Sequence, residues 1–398
     1  MAERPGPPQP TRKEEVGVTD SGLQQVDTHT SNPASLSSRP LQRHSSFIRA
    51  VCVDAHVGSV RGALSDERPY RDHPAHTGLL WALELIAWDP DYLLRASTIL
   101  LRLAAIDPGG ALSNRPARSL RHIFLTWNPA TNATLQRRLA ALDSLIQQDE
   151  SIAWNLLISL LPKGFDSGDN GLKPKYREAG ASDRETITHG LLYKSYDAII
   201  SRAVALAGNS SSRWASLLDT IHTFSDPQKQ LAIQSLSDQI DRFSEAERTE
   251  LWEKLAKVIR HHRAYPAAAW SLNDDALAQL EEILKRLEPN DPFQQTLWLF
   301  EESFPLIEHK DSKDFLSEVE RLRKAAVSDL IQARGLLAPL DLAERVKAPR
   351  FIGLAAGQVL ATIPEVANVA KAAFARGRRF DGFISLLSAA ALDRFGNY

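Results

Sequence analysis

His76-Thr77-Gly78-Leu79-Leu80-Trp81-Ala82-Leu83-Glu84-Leu85-Ile86-Ala87-Trp88-Asp89-Pro90 is the stretch whose reading decides the fold. From Leu79 to Trp88 only Glu84 is polar, a pattern expected of a helix buried nearly all round. Asp89-Pro90 fits an N-cap followed by a proline at the first helical position, where its missing N–H is not needed. Pro90 to Ile106 then reads as a second helix with a narrow polar strip, Arg95, Thr98 and Arg102. Asp107-Pro108-Gly109-Gly110 stops it.

Working outward, Pro116 to Trp127 reads as a third helix and Thr131 to Gln148 as a fourth. Leu135, Leu139, Leu142 and Ile146 form one face of the fourth. Ser151 to Leu161 is again almost wholly apolar. Buried and half-exposed helices therefore alternate, as stacked helix pairs require. Trp127-Asn128-Pro129 echoes Trp88-Asp89-Pro90 at a distance of 39 residues, near the spacing of HEAT and armadillo repeats. The fold class expected is all-α: irregular stacked helix pairs, a HEAT/TPR-like solenoid, with a disordered N-terminal segment.

Five regions follow. Residues 1–75 are rich in Pro, Ser, Arg and Gly, with sparse apolar residues, and read as a disordered leader. Residues 76–162 form a first helical block. Residues 163–183 form an exposed loop. Residues 184–335 form a second block, with capping boxes at Ser182–Glu185 and Ser244–Glu247 and helix starts at Asp226-Pro227 and Asp291-Pro292. Residues 336–398 are an Ala-rich helical segment. Its halt at Phe395-Gly396-Asn397-Tyr398, with no polar capping repeat, reads as truncation of a longer protein.

Composition narrows the function classes. All eight tryptophans fall between Trp81 and Trp298, which marks the densest packing there. A net charge of −2 offers no electrostatic reason to expect nucleic acid. The one cysteine, Cys52, excludes an intrachain disulfide and a cysteine-built zinc site, and the localisation expected is cytoplasmic. No run approaches the roughly 20 apolar residues of a membrane span.

His261-His262, adjacent on a helix, point to different sides and read as favourable charge near its C-terminus rather than as ligands. His73 and His76 lack a third ligand nearby. Glu281-Glu282 and Glu301-Glu302 read as solvated faces. Arg376-Gly377-Arg378-Arg379 reads as a polar turn. Gly164, Gly168 and Gly171 resemble a phosphate loop only superficially, since no Gly-Lys-Ser/Thr follows. Asp166 to Gly171 fails as a calcium loop, with Gly168 at the third position and Arg177 at the twelfth. No catalytic, cofactor-binding or metal-binding residue is assigned, and no cofactor is expected.

The runs His76 to Glu84, Ala87 to Pro90, Ile106 to Gly110 and Ile123 to Pro129, with Ala153-Trp154 and Leu160 to Pro162, resemble a segment of large, poorly characterised bacterial proteins. Some of those look like signal-transducing ATPases or defence-associated proteins. The resemblance covers about residues 76 to 390 and implies an α-helical scaffold downstream of other domains, with no functional residue to carry over. The expectation is a non-catalytic scaffold or sensor that binds a protein partner, as part of a larger bacterial protein. The alternative is a hydrolase-type enzyme with a site assembled from distant helices near residues 163–183.

Overall fold

The computed structural model describes residues 76–109, 113–168, 174, 185–308 and 312–396, and every regular element among them is helical. The leader expected at residues 1–75 lies outside the described residues. The chain begins with α1 (His76–Ala87), α2 (Leu93–Ala105), α3 (Pro116–Phe124), α4 (Leu135–Gln148) and α5 (Glu150–Leu160). It continues with α6 (His189–Ala207), α7 (Ser211–Leu218), α8 (Asp226–Gln239), α9 (Glu245–Ala264) and α10 (Asp274–Leu287). Two short helices, α11 (Pro292–Thr296) and α12 (Trp298–Glu301), lead to the long α13 (Ser312–Arg334). The last four are α14 (Ala338–Arg345), α15 (Arg350–Val359), α16 (Ile363–Ala375) and α17 (Asp381–Phe395).

Side-chain caps set many of the starts by occupying N–H groups that a helix cannot satisfy internally. Asp149 accepts from Ile152 N–H at 3.0 Å, Asn273 from Ala276 at 2.9 Å and Asp291 from Phe293 at 3.1 Å. Ser244 and Glu247 form the reciprocal box read from the sequence. At Asp226-Pro227 the cap lies one residue earlier, on Ser225, which boxes with Gln228. α6 begins at His189 behind Thr188 rather than at Ser182–Glu185. Glu185 works elsewhere. Its carboxylate accepts Leu135 N–H at 2.6 Å, at the positive N-terminal end of α4.

The opening stretch departs from its reading in two ways. First, Trp88-Asp89-Pro90 does not start a helix. Asp89 Oδ1 accepts Asp91 N–H at 3.0 Å, a tight turn fills residues 88–92, and α2 begins at Leu93. Trp127-Asn128-Pro129 likewise opens an irregular connection that ends at the Thr134 cap of α4. The two connections meet: Asn132 N–H donates to Trp88 C=O at 3.0 Å. The two connections therefore pack against each other at one junction.

Second, α1 inverts its hydrophobic pattern. Glu84, its polar residue, is buried and accepts from Ser119 Oγ at 2.5 Å. Trp81 is 50% exposed and Leu85, one turn on, 37%. Leu80, Leu83 and Ala87 fill the face that meets α2 and α3. Glu84 is tolerated inside because it is hydrogen-bonded.

Packing is local along the chain. The main helix–helix contacts join elements at most three positions apart, such as α1–α3, α2–α4, α3–α5, α4–α6, α6–α8, α7–α9, α8–α10, α13–α15 and α15–α17. Between the middle and the end, the Arg260 guanidinium on α9 lies 4.0 Å over the Trp298 ring of α12. Burial lowers the Arg260 pKa to about 10, so it stays charged near neutrality. One apolar cluster then runs from Phe293 to Leu387. The compositional shift at residue 335 is therefore no break in packing, because Val327 and Leu330 of α13 share a core with Ile352 and Phe383.

Arg323 locks that core from within. Its Nε donates to Leu299 C=O at 2.9 Å, and Nη2 donates to Glu302 C=O at 2.8 Å and to Ser303 C=O at 3.2 Å. These are carbonyls at the end of α12, which the helix cannot satisfy itself. The guanidinium also covers the Phe351 ring at 4.2 Å. Arg323→Met keeps most of the volume and removes the donors. It should cost about 2–3 kcal/mol, read as a lower urea midpoint with an unchanged m-value. Arg323→Lys should recover only part of this, since an ammonium lacks the planar fork. An unchanged midpoint in Arg323→Met would mean that the carbonyls find other donors.

Candidate functional site

Most of the histidines, paired glutamates and turn arginines have structural partners. His76 is buried, its Nε2 3.0 Å from Asn114 C=O. His73 lies outside the described residues. Glu281 pairs with Arg263 at 2.9 Å and Glu282 with Lys285 at 2.7 Å; Glu301 and Glu302 are exposed. In the basic turn, Arg376 bridges to Asp341 at 2.8 Å, and Arg379 donates to Glu344 and Val346 carbonyls at 2.8 and 2.7 Å. Those cations hold α14 to the turn before α17.

The described part of the 163–183 loop is partly tied down. Asp166 takes Arg121 on one carboxylate oxygen and Trp127 Nε1–H on the other, the latter at 2.9 Å. Gly168 lies so close to Leu125 and Trp127 that an added Cβ would press on Leu125 Cδ2 at 2.7 Å. Phe165, just before Asp166, is 88% exposed.

The histidines come together elsewhere. His222 sits in the 3₁₀ turn after α7, Ile221–Thr223; His261 and His262 occupy the last turn of α9. The His222–His262 and His261–His262 ring centroids are 5.9 and 5.7 Å apart. The 265–273 segment folds back over the end of α9 and brings Trp270 onto His261, stacked at 4.8 Å and 15°. Tyr265 adds an edge to the same group, 5.6 Å from His261. The three imidazoles and Trp270 border a cleft of about 350 Å³ whose apolar walls include Leu218, Val258 and Leu306.

The spacing of α9 explains the cleft's charge. Lys254, Lys257, Val258 and His261 lie three, four and seven positions apart, so they share a face. Lys254 is held by Asp219 at 2.6 Å. Lys257 is exposed.

His262 is the buried member. Its Nδ1 accepts Leu272 N–H at 3.2 Å, while its main-chain carbonyl accepts from Ser271 Oγ at 3.1 Å. Accepting at Nδ1 requires the neutral ring with its proton on Nε2. Burial first, then His222, His261 and Lys229, push its pKa down to about 4. Burial also lowers His222, partly opposed by the hydrogen bond its ring donates to the Asp219 main chain. The charge expected near the α9 C-terminus is therefore absent from His262 at neutral pH. A purely sequence-based view separates the two side chains, and it misses the return of the 265–273 segment that covers one and stacks on the other. Among the described residues no group of three His, Cys, Asp or Glu could hold a metal ion.

No family model matches the chain, and no curated protein or solved structure matches it.

Proposed function

We propose that the chain is a non-catalytic helical scaffold that acts by holding a protein partner. The observation that carries this reading is the inversion on α1. A helix that buries its charged residue and exposes Trp81 and Leu85 on one turn-spaced face offers the large, rigid apolar anchor that interfaces use. Local packing of the helices supports the same reading, because stacked helices present extended surfaces. The resemblance to scaffold regions of large bacterial proteins points the same way. The lone cysteine fits a cytoplasmic setting. Among the described residues no helix is long and apolar enough to cross a membrane.

A hydrolase site near residues 163–183 is less well supported. Asp166, the described carboxylate of that loop, has both oxygens occupied by Arg121 and Trp127 and serves as a tether.

A photo-crosslinking phenylalanine derivative at position 81 tests the proposal in living cells. It should give a discrete adduct with another protein. That adduct should vanish when Leu85→Asp is added and should not form from exposed Gln234 on α8. Absence of an adduct at position 81, or one indifferent to Leu85→Asp, would refute the partner face.

A further inference from the structure

The cleft beside α9 is not used by the scaffold reading, and its chemistry is specific. We propose that it binds a small aromatic anion, with the ligand's ring against Trp270 and its carboxylate or phosphate on Lys257. The proposal is independent of the α1 face and stands or falls separately.

Charge comes first. Asp219 is the carboxylate in the cleft lining, and Lys254 already neutralises it at 2.6 Å. Lys257 adds a positive charge on the same face of α9, exposed and with no ion pair among the described residues. The histidines across from it reinforce this in an unusual way. Burial lowers the pKa of His222 and His262, so these two keep N–H donors beside the lysines without adding repulsive charge. An entering anion would thus meet one uncompensated ammonium and neutral imidazole donors, with no competing carboxylate except one already engaged.

Shape selects the body of the ligand. Trp270 is 41% exposed although it is stacked on His261, so the indole is a platform with surface to spare. Leu218, Val258 and Leu306 supply apolar walls. A volume of about 350 Å³ is at the small end of the range for ligand pockets and fits a single ring with one anionic group. A bare inorganic ion would leave the indole and these walls unused. The platform is also anchored from beneath, since His262 holds Leu272 N–H and the segment bearing Trp270 is hydrogen-bonded back onto α9.

Phenyl phosphate and benzoate, titrated separately into the full chain, distinguish a phosphate from a carboxylate ligand. The readouts are calorimetry and NMR of the indole N–H and imidazole signals. At least one probe should saturate and shift the Trp270 and His261 signals. Lys257→Gln should weaken the tighter probe ~10-fold, the loss of a charge-assisted hydrogen bond. Trp270→Ala should weaken it ~5-fold or more, the loss of a stacking partner, while inorganic phosphate binding stays unchanged. Both positions are exposed, so circular dichroism should report intact folding. Failure of both probes to saturate at ~10 mM, where affinity would be worth under ~3 kcal/mol, would overturn the proposal. So would binding indifferent to either substitution.

Discussion

Gly353→Ala should destabilise the chain by about 2–3 kcal/mol, although alanine is the better helix former by about 1 kcal/mol. Gly353 and Gly357 lie one turn apart on α15 and let it press against α17. A Cβ at Gly353 would fall inside the contact shell of the Phe383 carbonyl oxygen and 2.8 Å from its carbon. A Cβ at Gly357 would overlap the Leu387 carbonyl oxygen and meet Ala390 Cβ at 2.9 Å. The obstacle is main chain, which cannot rotate aside as a side chain can. The two helices must separate, and the core shared by Ile352, Phe383 and Leu387 loosens with them. Overpacking therefore outweighs propensity. The expected Tm loss is roughly 3–5 °C. Gly78→Ala on α1 is the matched control. An added Cβ there meets nothing within 4 Å, so the change should be neutral or stabilising by up to ~1 kcal/mol. Equal responses at the two sites would show that α15 and α17 are not in close backbone contact. The double change Gly353→Ala with Gly357→Ala should cost less than the sum, because one helix displacement relieves both clashes.

The second large effect is acid lability at His262. Its folded pKa of about 4 lies below the ordinary histidine value of 6.5. Between those values the unfolded chain binds a proton that the folded chain refuses, so stability rises with pH across that window and falls as the medium is acidified. Below about pH 4 both states are protonated and the loss stops growing. The full effect is about 3 kcal/mol. Protonation at Nδ1 would also set one N–H against another, breaking the Leu272 bond and freeing the segment that carries Trp270. Urea midpoints taken from pH ~7.5 to ~4.5 should show a fall that His262→Gln reduces, since a glutamine oxygen can still accept Leu272 N–H, with the remainder belonging to His222. Parallel pH curves for the wild-type chain and His262→Gln would assign the lability to other groups.

Helical character was legible wherever apolar periodicity and caps coincided. The Ser244–Glu247 box and the Asp291 cap follow directly from the local pattern. Boundaries slipped where a tertiary partner took over. Glu185 looked like part of its own helix's capping box, but it serves the start of α4. Asp89 looked like a cap, but it closes a turn whose Trp88 carbonyl belongs to Asn132. Composition misled on α1, because mean apolarity does not say which residue of a helix finds a hydrogen-bond partner inside. Glu84 found Ser119, and Trp81 was left outside. The Gly353-x-x-x-Gly357 spacing was in plain view as a close-approach signal. The Ala-rich end holds α15 and α17, the most extensive helix pair of the described chain. The cleft was the hardest feature to foresee. Its members come from four places in the chain, residues 218–222, 254–262, 270 and 306, and the return of the 265–273 segment adds the indole.

The measurement that bears most directly on the whole account is native-state hydrogen exchange in the Gly353→Ala variant. If helices are held by neighbours alone, amides in α13, α15 and α17 should lose protection by the full destabilisation. Those in α1 to α5 should match the parent chain. A uniform loss of protection from α1 to α17 would contradict it, because it would show one cooperative core in place of a neighbour-held scaffold.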